Sequence, residues 1–237
     1  MRVAALVLGA GSGARLRATL DAATLDAASP KALVSLGGVS LLARSLATLA
    51  SVSEIEWIVP VLPADALASW PGVRAELRDA TRVLAPVAGG AERQDSARAG
   101  LAAVPPDATH VAVHDAARPL VRAADVSRVV AAALAEGAAI LAEPVRDTIH
   151  RVAGGQIAAT PPRGECFAAQ TPQVFRIDWL REAYAKAEAD GVHGTDDAAL
   201  VARLGNPVRV LAGDPANFKI TTAADLARAE AWLAGAA

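Results

Sequence analysis

Residues 2–15 read Arg2-Val3-Ala4-Ala5-Leu6-Val7-Leu8-Gly9-Ala10-Gly11-Ser12-Gly13-Ala14-Arg15. Arg2–Leu8 is a short apolar, partly β-branched run that stops at glycines, the pattern of a buried strand. The glycines let the backbone approach a ligand closely, with amide N–H groups turned toward it. In open α/β sheets ligands bind beyond the carboxyl ends of the strands, which is where this loop falls. A tight strand-to-helix turn would look the same, so the loop needs company before it means chemistry.

Working outward, strand-like and helix-like segments alternate. Ser40–Ala50 places Leu41, Leu42, Leu46 and Leu49 at helical spacing. Glu54–Leu62 reads as a strand, Arg82–Pro86 as a weak one, and Arg93–Ala103 as a helix halted by Pro105-Pro106. Thr109–Val113 is a strand ending at His114-Asp115, followed by a helix over Ala124–Ala135 and a strand over Ala138–Ala142. Ile177–Ala189, Asp196–Leu204 and Ala223–Leu233 read as helices, with a strand at Val208–Leu211. This alternation predicts an α/β fold with a mostly parallel sheet and helices on both faces, in a single domain spanning residues 1–237. From Asp147 to Val174 no helix is written. Two β-prone runs around Gly154-Gly155 predict a hairpin there. A lone hairpin is marginal in water, so a β-arm at about residues 146–172 is expected to pack on a second subunit. Ala18–Ser29 reads as a loop or short helix.

The chain has 237 residues, a formal net charge of −2 and one cysteine. A quarter of the residues are alanine, so little of the 53% apolar fraction is bulky. Charged residues at 20% argue against a disordered chain, and the mixed signs leave no footprint for nucleic acid. No run reaches the ~18–20 apolar residues of a membrane span. The apolar start is short and runs into glycines, so a secretion signal is not expected. Cys166 fits a reducing, cytoplasmic setting and reads as a small buried filler rather than a nucleophile.

Four clusters carry candidate chemistry. Arg15 ends the first glycine loop and Lys31 follows a proline, so a guanidinium and an ammonium near that loop suit a polyphosphate. The loose dinucleotide pattern Gly9-x-Gly11-x-x-Ala14 lacks the acidic residue ~20 positions on that a dehydrogenase needs. Gly89-Gly90 and Ser96, again between a strand and a helix, allow close approach and a hydrogen bond to a base or ribose. Asp115, at a strand's carboxyl end, can hold a divalent cation, and Arg118 can grip a second anion. His114 reads as a histidine bonded within its loop. Lys219 lies on a β-prone segment, where an inward lysine would demand an anion.

In chain order, GAGSGAR, SPKAL, GGAERQDS, VHDAARP, PVRDT, QTPQVF, TDDA and NFKIT run from Leu8 to Thr221. Together they resemble the 2-C-methyl-D-erythritol 4-phosphate cytidylyltransferase family. The resemblance implies a Rossmann-like nucleotidyltransferase fold with an extended β-arm that forms a homodimer. It implies that CTP and methylerythritol phosphate give a CDP-alcohol and pyrophosphate, with Mg²⁺. By motif position, Ala10, Gly11, Gly13, Gly90 and Ser96 would bind the nucleotide. Arg15, Lys31 and Lys219 would act on the phosphates, Asp115 would hold Mg²⁺, and Asp115, Arg118, Thr148, Arg163 and Thr171 would meet the acceptor. Arg163 and Thr171 lie around the arm and would then serve the partner's site. Three departures stand out: a long Arg15-to-Lys31 segment, Ala91 where an acid is frequent, and Phe167 where tryptophan is frequent. The alternatives at this stage are a cytidylyltransferase for ribitol 5-phosphate or another polyol phosphate, a nicotinamide-dependent dehydrogenase, and a non-catalytic nucleotide-binding module.

Overall fold

The computed structural model describes residues 1–11, 13–19 and 30–235. Ser12 and most of the Ala18–Ser29 stretch lie outside the described residues. In chain order the elements are β1 (Val3–Leu8), α1 (Ala14–Arg17), β2 (Ser35–Leu36), β3 (Val39–Ser40), α2 (Leu41–Ala50), β4 (Ile55–Leu62), α3 (Trp70–Ala75) and β5 (Val87–Ala88). They continue with α4 (Arg93–Ala102), β6 (His110–Asp115), α5 (Ala123–Glu136), β7 (Ala138–Pro144), β8 (Arg151–Ala153), β9 (Gln156–Ala159) and β10 (Phe167–Arg176). The last four are α6 (Ile177–Ala189), α7 (Asp197–Arg203), β11 (Arg209–Ala212) and α8 (Ala223–Gly235).

Seven strands form one sheet in the order β11-β7-β10-β6-β1-β4-β5. β1 lies parallel between β4 and β6, with Leu6 opposite Val59 on one side and Val113 on the other. Alternate β1 side chains feed two apolar layers, as the period of two requires. Val3, Ala5 and Val7 pack with Leu42, Leu46, Val126 and Val130 of α2 and α5. Ala4, Leu6 and Leu8 pack with Leu101, Leu180 and Leu200 of α4, α6 and α7. Each such leucine contributes ~1.5–3 kcal/mol on full burial, so the sheet is anchored from both faces. A third cluster of Leu16, Leu36, Leu41, Ile220 and Leu226 ties α1 and α8 together below the glycine loop.

Four expectations need correction. The weak strand over Arg82–Pro86 is instead a short stretch beside Ile58, which donates to the Arg82 carbonyl and accepts from the Leu84 N–H. Pro86 has no N–H to continue that ladder, and pairing resumes only at Val87–Ala88 against Val61 and Leu62. Lys219 is not on a strand. Its segment is extended loop, pinned where the Ile220 N–H donates to the Ala117 carbonyl at 2.8 Å. Residues 167–172, counted with the arm, open β10, an antiparallel strand that fills the sheet between β7 and β6. The predicted hairpin is present as β8 and β9, projecting with every residue exposed. Cys166, at the arm's root, is half-buried rather than buried.

Phe175, fully buried near the carboxyl end of β10, anchors that strand to the α6 layer. Phe175→Ala should lower the free energy of unfolding by ~3–5 kcal/mol, the usual loss for such a cavity. A urea titration showing less than about 1 kcal/mol would mean that β10 is not a load-sharing part of the core.

Candidate active site

The chain leaves β1 toward β4 on one side and returns to β6 on the other, so the crevice beyond their carboxyl ends is a topological switch point. The first glycine loop, the Gly89-Gly90 loop and Asp115 all face it. Two glycines are needed for steric reasons. Gly13 has φ +64°, and a Cβ there would lie 2.6 Å from Lys31 Cβ. A Cβ on Gly89 would lie 2.4 Å from Ala10 Cβ, so only glycine lets the two loops meet. Ser96, buried in the first turn of α4, accepts from the Gly90 N–H at 3.2 Å and donates to the Glu92 carbonyl at 3.1 Å. It therefore fixes the second loop from below.

A cavity of 150 Å³ lies between these loops, lined by Ala10, Gly11, Gly90 and Ser96 at one end and by Lys31, Asp115 and Lys219 at the other. A shallower neighbour is lined by Gly13, Arg15, Lys31, Lys219 and Thr221. The three predicted cations thus surround one space. Burial first, and the nearby Lys219 second, pull the Lys31 ammonium down to about 8, with Arg15 adding to the effect and Asp115 opposing it. Lys219 is held by the chain that follows it. The Asp225 carboxylate accepts from the N–H groups of Thr221 and Thr222, each at 2.8 Å, and from both hydroxyls.

Asp115 closes the floor. Its carboxylate accepts from Lys219 Nζ at 2.7 Å and from Arg93 Nε at 3.2 Å. Burial opposes its ionisation, but Arg93 and Lys219 outweigh that and hold the carboxyl well below the usual carboxylate range. A third cavity opens on the other side of Asp115, lined by Arg118, Thr171, Thr195 and Lys219 among others. Arg118 donates to the Asn217 carbonyl at 2.7 Å and the Ala169 carbonyl at 3.0 Å. Thr171 is placed in this chain's own site, not at the arm's reach toward a partner. Its hydroxyl accepts from the Asp115 N–H at 3.0 Å and meets His114 Nδ1 at 3.0 Å. His114 is fully buried, and its other nitrogen lies 3.2 Å from the Arg118 carbonyl oxygen. Burial lowers it to about 4, which suits a neutral, structural ring.

Thr148 and Arg163 are not brought to these cavities. Thr148 is exposed on the approach to β8, and Arg163 is exposed, donating to the Arg146 carbonyl at 3.3 Å. Conversely, sequence reasoning missed Arg93, Asp197 and Tyr184. One signal was available: Arg93 opens α4, where a cation faces the positive end of the helix dipole. Such a residue needs partners to hold it there.

An α/β sheet with two glycine loops, a cluster of cations and a buried carboxylate at its switch point defines a nucleotidyltransferase-type site. The profile of 2-C-methyl-D-erythritol 4-phosphate cytidylyltransferase (IspD) matches residues 3–235. The chain is 41% identical over 231 residues to the 2-C-methyl-D-erythritol 4-phosphate cytidylyltransferase of Prochlorococcus marinus, covering 97% of both chains. It is 44% identical over 233 residues to that of Nocardia farcinica, covering 98% of this chain and 94% of the relative. The crystal structure of the Thermus thermophilus cytidylyltransferase superposes with a TM-score of 0.76 at 34% identity, covering 99% of this chain and all of that one. The chain belongs to the 2-C-methyl-D-erythritol 4-phosphate cytidylyltransferase family.

The sequence contains three lysines, at 31, 186 and 219. After reductive ¹³C-methylation, NMR titration should show a resonance with a midpoint about 8 that vanishes in Lys31→Arg. A Lys31 resonance titrating near the ordinary lysine value of ~10.4 would contradict the crowding of charge described here.

Proposed function

We propose that the chain transfers the cytidylyl group of CTP to 2-C-methyl-D-erythritol 4-phosphate. Pyrophosphate is released and 4-diphosphocytidyl-2-C-methyl-D-erythritol forms, a step of the non-mevalonate isoprenoid pathway. The observation that carries this reading is the junction of two cavities at Asp115 and Lys219, one framed by glycine loops and cations, the other by Arg118 and Thr171. Two anionic substrates can meet there, and the family membership supplies their identities. Full-length relatives at about 40% identity carry the methylerythritol name, which favours that acceptor over ribitol phosphate.

The nucleophile is an oxygen of the acceptor's phosphate monoester, already ionised near neutral pH. It attacks the α-phosphorus of CTP, and the bond to the bridging oxygen of the β-phosphate breaks. No proton needs to move, which fits a neutral, buried His114. What the protein must supply is alignment and neutralisation of charge. Ala10, Gly11, Gly13, Gly90 and Ser96 would seat the nucleotide. Arg15 and Lys31 would hold the triphosphate, and Lys219 would meet charge on the equatorial oxygens of the α-phosphoryl group. Asp115, whose two oxygens are paired with Arg93 and Lys219 in this structure, would hold Mg²⁺ as a single protein ligand once Lys219 turns to the phosphate, since Mg²⁺ takes one or two carboxylates beside phosphate oxygens and water. Bound with the triphosphate, the ion would stabilise the departing pyrophosphate. Arg118 and Thr171 would face the acceptor.

The arm supports a homodimer. Val152 and Ile157 are 58% and 62% exposed on a two-stranded ribbon with no core of its own, and Phe167, at the start of β10, adds a further apolar side chain 47% exposed. Thr148 and Arg163 sit on or beside that ribbon and away from this chain's cavities, so their role at an acceptor is one across the dimer. One cysteine and no helix long and apolar enough to cross a membrane among the described residues support a cytoplasmic enzyme.

Pyrophosphate release should require CTP, Mg²⁺ and methylerythritol phosphate, with ribitol 5-phosphate a poor substitute. Lys31→Ala and Lys219→Ala should each lower kcat by ~10²-fold or more, as loss of one preorganised charge contact does. Preference for ribitol phosphate, or both variants turning over like the parent, would overturn the reading. Val152→Asp with Ile157→Asp should yield a monomer by light scattering, and with it a raised KM for the acceptor. An unchanged dimer would remove the arm from assembly.

A further inference from the structure

Among the described residues, three side chains line both the donor-side and the acceptor-side cavity: Asp115, Lys219 and Arg93. The first two have roles above and the third does not. Arg93 Nε donates to Asp115 Oδ1 at 3.2 Å, and its Nη1 lies 2.9 Å from Asp197 Oδ2. The other oxygen of Asp197 accepts from the Tyr184 hydroxyl at 2.5 Å. Asp197 and Tyr184 are 1% and 2% exposed. One planar guanidinium therefore bridges a carboxylate at the end of β6 and a carboxylate in the first turn of α7, while α6 braces the second.

Lys219 has two tasks that conflict. In the free protein it neutralises Asp115, and in transfer it must meet the charge building on a phosphate. If Lys219 were the sole protein partner of Asp115, turning away would leave a buried carboxylate with at most one oxygen compensated, by the metal, which is unfavourable. Arg93 removes the conflict, because it stays on Asp115 whichever way Lys219 points. We propose that Arg93 is a positioning residue for the transfer step: it keeps Asp115 compensated and fixed so that Lys219 is released to the reacting phosphate, and Asp197, braced by Tyr184, holds Arg93 in that place. A lysine would not replace it, since a point charge on a flexible stem cannot fork between two carboxylates.

The inference rests on the reaction proposed above, and the two fail differently. A wild-type chain that releases no pyrophosphate from CTP and methylerythritol phosphate refutes the reaction and the role of Arg93 together. An active wild type with indifferent variants refutes the role alone. The variants are Arg93→Gln, Arg93→Lys and Tyr184→Phe, each checked for folding by thermal melting. Arg93→Gln should lower kcat by ~10²-fold, the scale of one lost preorganised contact, while calorimetric CTP affinity stays within about threefold. Arg93→Lys should recover less than about tenfold of that loss. Tyr184→Phe, which removes one oxygen and keeps the ring, should lower kcat by about threefold to tenfold in the parent. It should have no further effect in the Arg93→Gln background, the non-additivity expected of one connected network. Where Arg93→Gln does not fold, Arg93→Lys and Tyr184→Phe decide alone. An unchanged kcat, a loss of CTP affinity equal to the loss of kcat, full rescue by lysine, or additive effects of Tyr184→Phe would each overturn the proposal.

Discussion

Asp115 sits at the carboxyl end of β6 with Arg93 on one oxygen and Lys219 on the other. The rest of the site is organised by that double pairing. A buried carboxylate persists only with partners of good geometry, and here the partners come from positions 22 and 104 residues away in the chain. The pairing therefore fixes the start of α4, the segment before α8 and the end of the central sheet relative to one another. Thr171 adds a fourth element, because its hydroxyl takes the Asp115 backbone N–H. Donor and acceptor cavities lie on opposite sides of this one residue, so the fold and the reaction share a single fixed point.

The division between rigid and chemical parts follows from where polar groups can be afforded. β1 and β6 are buried along their whole length, and they carry their reactive or loop-forming residues only at their ends. The loops beyond those ends are held by contacts that cost the ligand nothing: Ser96 against Gly90, Gly89 against Ala10, Gly13 against Lys31. Such preorganisation means that little reorganisation is left for the moment of reaction, which is where electrostatic catalysis gains most.

The alternation of strands and helices was readable because it depends on local periodicity. β10 was not. Its sequence, Phe167-Ala168-Ala169-Gln170-Thr171-Pro172-Gln173-Val174-Phe175-Arg176, interrupts any apolar alternation with four residues that look like a loop. Gln170 and Gln173 are buried all the same. Gln170 donates to the Asp214 carbonyl, and Gln173 donates to Asp196 and accepts from the Ala198 N–H. Those partners lie 23 to 44 residues away and carry no local signal. The same holds for Arg93, which reads as the first residue of a helix until Asp115 and Asp197 are seen beside it. Arg15, Lys31, Asp115 and the glycines were legible because each belongs to a glycine loop, follows a proline or ends a strand, and Lys219 was legible as a lysine in a β-prone segment. Thr148 and Arg163 came from motif position alone, and this chain's fold leaves them outside its own cavities.

Holding Arg93 and Lys219 in place is one reason for a carboxylate at the heart of a pocket for anions. Its effect on Lys31 gives a further reason. Lys31 is pulled down by burial and by the neighbouring Lys219 and Arg15, and Asp115 and Asp225 are what push it back up. Crowded by two other cations in a partly buried space, Lys31 would otherwise lose its proton more readily, and a neutral amine holds a phosphate poorly. Asp115 thus helps to keep Lys31 charged before the substrate arrives. In the proposed reaction the incoming triphosphate takes over that counterion role, which would leave Lys219 the mobile member of the set and Arg93 the fixed one.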